Sequence, residues 1–387
     1  MLHFSQGFHT SMIRKRLTVG QAEGLLGEFR NSGLRVRPDR GRSKADPFGH
    51  HWIIEYPGQT KGISWYMRIT PEKTTPVFSS DGEDRPCNVK AIINPKVFVG
   101  IKYYITAASS DYLGRVEALF DMEAGRISPA LGRFAEYSLI RNDYCLNADV
   151  SGPEFHCSPE QLMTLLKRAD IPPHFREWTE FDTTTRRDEV GKDSFYLKSK
   201  SVVVNYYLKY PQLLREYEEH PDLEEYRNVI RLEVQFRYQK MYSLSRIIKA
   251  GSDLPDSAVM KAMLSDDFCA KVIRDYFYRV VGRGDYYTLD IARQMVKARR
   301  FRPQKEERLI STLEFVNRCR GIHKAKSTLE DVSLEGFRHS LRELDAVRIN
   351  AVTLPREWGI KHIPNPLREY YGGLAEERML FSDDRLR

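Results

Sequence analysis

The chain has 387 residues, 41% hydrophobic and 29% charged, with a formal net charge of +8. That balance excludes a disordered chain and supplies apolar surface for a sizeable core, spread over two or three domains. The basic surplus favours an anionic partner, nucleic acid being the usual one, and no apolar run reaches the ~18 residues of a membrane span. Five scattered cysteines, Cys87, Cys145, Cys157, Cys269 and Cys319, form no CxxC pair. They point away from a disulfide framework and a zinc knuckle. The N-terminal segment has no sustained apolar core and does not read as a signal peptide, so a cytoplasmic protein without a membrane partner is expected.

Residues 1–34 read as a strand followed by a helix whose apolar face is Ala22, Leu25, Leu26 and Phe29. RVRPDRGRSKADP, residues 35–47, reads as a basic, solvated loop. HHWIIEY and ISWYMRIT read as two strands of a hairpin closed by PGQTKG. The neighbouring His50 and His51 point to opposite faces of a strand, so at most one reaches a shared metal. Both read as structural or surface residues. Residues 70–87 are polar and Pro-rich, a loop. VKAIINPKVFVG reads as a strand and turn, and YYITAASSDYLGRVEALFDMEAG as a loop and a helix.

Three runs then carry the strand signal most clearly. In SLIRNDYCLNADV, Ile140, Tyr144, Leu146 and Ala148 share one face, and Arg141, Asp143, Cys145 and Asn147 the other. In the run 201–209, Val202, Val204, Tyr206 and Leu208 oppose Val203, Asn205, Tyr207 and Lys209. In the run 229–237, Leu232, Val234 and Phe236 oppose Arg231, Glu233, Gln235 and Arg237. If the three share a sheet, Asp143, Tyr207, Lys209 and Glu233 can converge on one surface, where two carboxylates suit a hard divalent cation. Between the first two runs, SPEQLMTLLKRA reads as a helix capped by Ser158, with Pro159 at its first position and Gln161 closing the cap. The segment TEFDTTTRRDEVGKDSFYLKSKS reads as an exposed hairpin, or as one whose Arg186, Arg187, Lys192, Lys198 and Lys200 contact phosphates.

RNDYCLN, VNYYLKY and NVIRLEVQ together resemble, in order, the RIDYCVN-type, INxYDKY-type and N(I/V)(I/L)R(F/L)EVQ-type strands of rolling-circle replication initiators. The likeness is to the gene II/gene X-type phage and plasmid replication proteins, with the Rep_trans plasmid initiators as relatives. It is best over residues 91–242 and continues more weakly through INAVTLPREWGIKHIPNPL. It implies an α+β fold with a mainly antiparallel sheet and helices on one face, an HUH/Rep-like nickase core. The resemblance also implies site-specific nicking of origin DNA, with Tyr207 as nucleophile and Lys209 beside it. Asp143 and Glu233 would hold Mg2+ or Mn2+, and Arg231 would bind the phosphate. Many nickases bind their metal through a His-x-His pair, and none occurs among the ten histidines. Tyr206 is the rival nucleophile, and strand parity assigns it to the core. Partners implied are single-stranded or supercoiled DNA, with a host helicase and polymerase. The alternatives are a non-catalytic origin-binding or repressor protein and a conjugative relaxase.

Beyond residue 242 the pattern is helical, which sets the expected division at 1–245 for the catalytic domain and 246–387 for a helical C-terminal region. GDYYTLDIARQMVKARR resembles the opening of a helix-turn-helix, with Arg293, Lys297 and Arg300 in a basic cluster at its end. A plain amphipathic helix with cations at its C-terminus fits the same residues. The tail, residues 372–387, is expected to fray.

Overall fold

In a computed structural model the chain is described over residues 4–46, 49–58, 61–70, 87–101, 106–178, 180–182, 187–189, 191, 193–216, 223–329 and 333–367. The protein is α+β, with a large antiparallel sheet and a helix-rich C-terminal third. The chain opens with β1 (Phe4–Arg16), α1 (Val19–Asn31), β2 (Arg35–Pro38), α2 (Arg40–Ala45), β3 (His50–Glu55), β4 (Ile63–Ile69) and β5 (Asn88–Ile93). It continues through α3 (Pro95–Phe98), α4 (Leu113–Ile127), β6 (Ser138–Asp149) and α5 (Pro159–Lys167). The strands β7 (Arg176–Glu177), β8 (Glu180–Asp182), β9 (Arg187–Glu189), β10 (Ser194–Lys198) and β11 (Val202–Leu208) follow, then α6 (Lys209–Glu216) and β12 (Val229–Phe236). The rest is α7 (Tyr238–Ala250), α8 (Asp256–Met263), α9 (Asp266–Val280), β13 (Tyr286–Tyr287), α10 (Leu289–Ala298), α11 (Pro303–Cys319), α12 (Ile322–Ser327), α13 (Leu334–Ala346) and β14 (His362–Ile363). Residues 71–86, most of the expected Pro-rich loop, lie outside the described residues, as does the expected frayed tail.

Two compact units make up the chain, interleaved in sequence. The first is Gln6–Cys145 with Gln235–Cys269; the second is Met1–Ser5, Leu146–Val234 and Ala270–Arg387. Residue 245, the expected division, falls within α7. Local periodicity marks where helices begin, whereas units are set by contacts between distant segments.

In the first unit the strand order is β2-β3-β4-β5-β1-β6. β3 and β4 form the expected antiparallel hairpin, with His51 opposite Arg68. α1 buries the expected Ala22, Leu25, Leu26 and Phe29, and its start is closed by a Thr18–Gln21 capping box. The core beneath is aromatic: Trp65 lies 5.9 Å from Phe29 and 5.3 Å from Phe120, which meets Tyr137 edge-on at 5.1 Å. The stretch 35–46 is ordered, contrary to its reading as a loop. Val36 sits opposite Ile54, the Arg37 guanidinium forks onto Glu55, and Asp39 caps α2 by accepting from the Arg42 amide. A charged sequence joins a sheet edge when its partner strand supplies the ladder bonds and the opposite charge.

In the second unit the end of β6 is followed by β12, β11, β10 and β7. Ser158 caps α5 with Pro159 in the first turn and Gln161 closing the box, as its sequence implies. Tyr206 packs between Phe195 and Phe277, 6.2 and 5.8 Å away. The segment INAVTLPREWGIKHIPNPL is tied into this unit. Ile363 of β14 pairs with Tyr286 of β13, and the amides of Asn350 and Asn365 donate to Asp285.

Candidate active site

The three resembling motifs fall on β6, β11 and β12. In the second unit these strands are hydrogen-bonded neighbours, with β12 in the middle. Burial alternates over the second half of β11: Tyr206 and Leu208 are buried, while Asn205 and Tyr207 are half-buried; at its start Val202, Val203 and Val204 are all buried. Burial raises the Tyr206 phenol well above the ordinary tyrosine range, so it is held neutral in the core. Tyr207 is therefore the tyrosine of this pair on the more open face, opposite Ser194 of β10.

Lys209 lies two residues further, but not in the strand. β11 ends at Leu208 and Lys209 is the first residue of α6, buried, with its Nζ donating to Gln212 Oε1 at 2.6 Å. The helix starts earlier than the alternation implies, because YPQLLRE can bury Leu213 on one helical face. On β12, Glu233 is half-buried and faces Arg231, with Nε–Oε2 at 3.5 Å. Arg231 is only 4% exposed.

Asp143 belongs to the first unit and is 1% exposed. Its two oxygens accept a fork from Arg141, 2.9 Å from Nε and 2.6 Å from Nη2. A ligand nitrogen of His9, on β1, lies within 4.8 Å of a ligand oxygen of Asp143. Next to Asp143, Asn142 accepts from Ser11 at 2.6 Å. A ring nitrogen and a carboxylate at this separation suit a divalent cation of the Mn2+ kind, since imidazole adds a softer donor than Mg2+ prefers. A carboxylate has about four lone-pair sites, so the Arg141 fork does not exhaust it. His9 was not legible from sequence, because a single histidine on a strand has no spacing signature and its partner is far along the chain. His51 instead pairs with Asp46 at 2.9 Å, which also holds Arg68 at 2.7 Å, and His50 is exposed.

The expected DNA-contact residues fall on several elements. Arg186 and Lys192 lie outside the described residues, and of Arg187 the structure gives only its place opposite Asp182 in the β8–β9 hairpin. Lys198 rests on the Trp178 ring, 4.4 Å from its centroid, and Lys200 is exposed. In α10, Arg293 pairs with Glu314 of α11 and bridges the two helices, while Lys297 and Arg300 are exposed. Thr288 occupies the N-cap of α10 without a side-chain capping bond.

No protein-family model matches the chain, and no curated protein matches it. Among solved structures, it is similar to a rolling circle replication initiator protein from Geobacillus stearothermophilus. The TM-score is 0.31 at 12% sequence identity, over 72% of this chain and 86% of that one. Among the described residues no helix is long and apolar enough to cross a membrane.

Proposed function

We propose that the chain is a metal-dependent DNA nicking and strand-transfer enzyme that starts rolling-circle replication. The observation that carries the reading is the gathering of three sequence-distant motifs onto the neighbouring strands β6, β12 and β11, with Tyr207 on the open face and Tyr206 in the core. Tyr207 attacks a backbone phosphorus, a 5′-phosphotyrosine forms, and the 3′ oxygen leaves with a proton as a free hydroxyl. The reverse attack by a 3′-hydroxyl reseals the strand without ATP, because the phosphotyrosine keeps the bond energy. An ordinary tyrosine pKa near ~10 disfavours the phenolate, and Lys209 is the cation assigned to stabilise it. His9 and Asp143 are the metal ligands assigned within the first unit, with Arg141 orienting the carboxylate; Glu233 is the further ligand that the resemblance implies. A divalent cation held there would polarise the phosphate and offset charge on its oxygens.

A second reading, an origin-binding or repressor protein that does not cut, is favoured by the pairing of both carboxylates with arginines. The two readings separate on a random-sequence single-stranded oligonucleotide pool incubated with Mn2+ or Mg2+. The nickase yields an SDS-stable protein–DNA adduct that maps to Tyr207, is lost in Tyr207→Phe and persists in Tyr206→Phe. Absence of any adduct from the wild type, with DNA binding intact, establishes the second reading.

A further inference from the structure

The first unit contains a cleft of about 560 Å³ lined by β1, β6, α7 and α8. Three observations there do not belong to the metal-ligand pair. Arg14 is only 9% exposed, yet it lines the cleft without a carboxylate partner among the described residues. Its contact is the face of Tyr238, 4.8 Å from guanidinium to ring centroid. Tyr238 and Tyr242, one helical turn apart on α7, stack with centroids 6.0 Å apart and planes 24° apart, and Tyr242 is 52% exposed. The other cations at the cleft include two already neutralised, Lys15 by Glu136 and Lys249 by Asp256.

Burying a guanidinium against a ring, without a counter-charge, is costly unless an anion completes the site. The Tyr242 ring is exposed and is approached by the Arg246 guanidinium, 6.0 Å from its centroid, so an aromatic surface and a further cation lie together, as stacking of a nucleobase requires. We propose that this cleft holds an unpaired nucleotide of single-stranded nucleic acid, with its base against the exposed Tyr242 ring and its phosphate on Arg14. Met260 and Met263 line it as adaptable apolar surface beneath the sugar. None of His9, Asp143, Tyr207 and Glu233 lines this cleft, and the proposal stands whether or not the strand is cut.

The test uses the full chain carrying Tyr207→Phe, in EDTA, so that no cleavage intervenes. Anisotropy of a fluorescein-labelled oligothymidine 12-mer is titrated over a range of salt. Tyr242→Ala is expected to weaken binding about tenfold and Tyr242→Phe to leave it near the parent value. Arg14→Gln is expected to weaken binding and reduce the salt slope by about 0.7, one phosphate contact on a single strand. Since Arg14 is buried, Arg14→Lys and circular dichroism of each variant separate a lost contact from a lost fold. Unchanged binding in Tyr242→Ala overturns the proposal, as does equal competition by a duplex of the same length or by an oligoglutamate peptide. A chain that never forms a tyrosine adduct but loses oligothymidine binding in these variants keeps this inference and discards the nickase.

Discussion

Arg141→Gln separates a structural ion pair from a metal site. The Asp143 side chain is 2% exposed and that of Arg141 33% exposed, so the substitution strips the counter-charge from a buried carboxylate. Removing one partner of a buried pair costs about 3–5 kcal/mol. Water reaches the Arg141 side, which places the expected loss at the lower end, about 3 kcal/mol. A cation bound to the folded state alone adds about 2.7 kcal/mol at a hundred times its Kd. Urea unfolding of wild type and variant, in EDTA and in saturating MnCl2, reads both quantities. The variant should be less stable in EDTA and should gain more from Mn2+ than the wild type, because the fork no longer competes for Asp143. Asp143→Asn should gain little. If Mn2+ stabilises Asp143→Asn as much as wild type, the ion binds elsewhere and the ligand assignment fails. A loss below about 1 kcal/mol for Arg141→Gln in EDTA would show that the fork is not what keeps the carboxylate in place.

Tyr206→Phe removes a buried hydroxyl that has no hydrogen-bond partner among the described residues, so it should be neutral or stabilise by up to about 1 kcal/mol; a loss above that on urea unfolding contradicts the packing described. Glu123 gives a pH prediction. Burial pushes its carboxyl up, but the Arg126 fork and the Tyr56 hydroxyl outweigh this and hold it below its usual 4.5. A depressed carboxylate contributes stability in full above 4.5, and that contribution is lost as pH falls through the lower folded value. Glu123→Gln should therefore flatten the acid limb of the stability curve below about pH 4.5 and leave its slope at pH 6–8 unchanged, read by urea midpoints across pH. An unaltered acid limb would mean that Glu123 is not depressed.

Elements whose signals are local were legible. The buried face of α1, the Ser158 cap, the β3–β4 hairpin and the three motif strands all follow from side-chain period and capping chemistry within a dozen residues. The parity that separates Tyr206 from Tyr207 is of the same kind. Features set by a distant partner were not. β2 needs β3 to supply its ladder and Glu55 to meet Arg37. Arg141 was visible on the polar face of its strand, but its fork onto Asp143 was not, because neighbours of like parity can either pair or diverge.

The sequence by itself determined the strands, the core-facing side of each and the tyrosine that stays out of the core, because alternation is a property of the backbone that every strand inherits. Only the tertiary structure brought His9 to Asp143, buried Arg231 against Glu233, placed Arg14 over Tyr238 and drew the two units across the chain order. Those arrangements depend on which strands and helices become neighbours, a choice made by the summed packing of segments far apart in sequence and written in no single stretch of it.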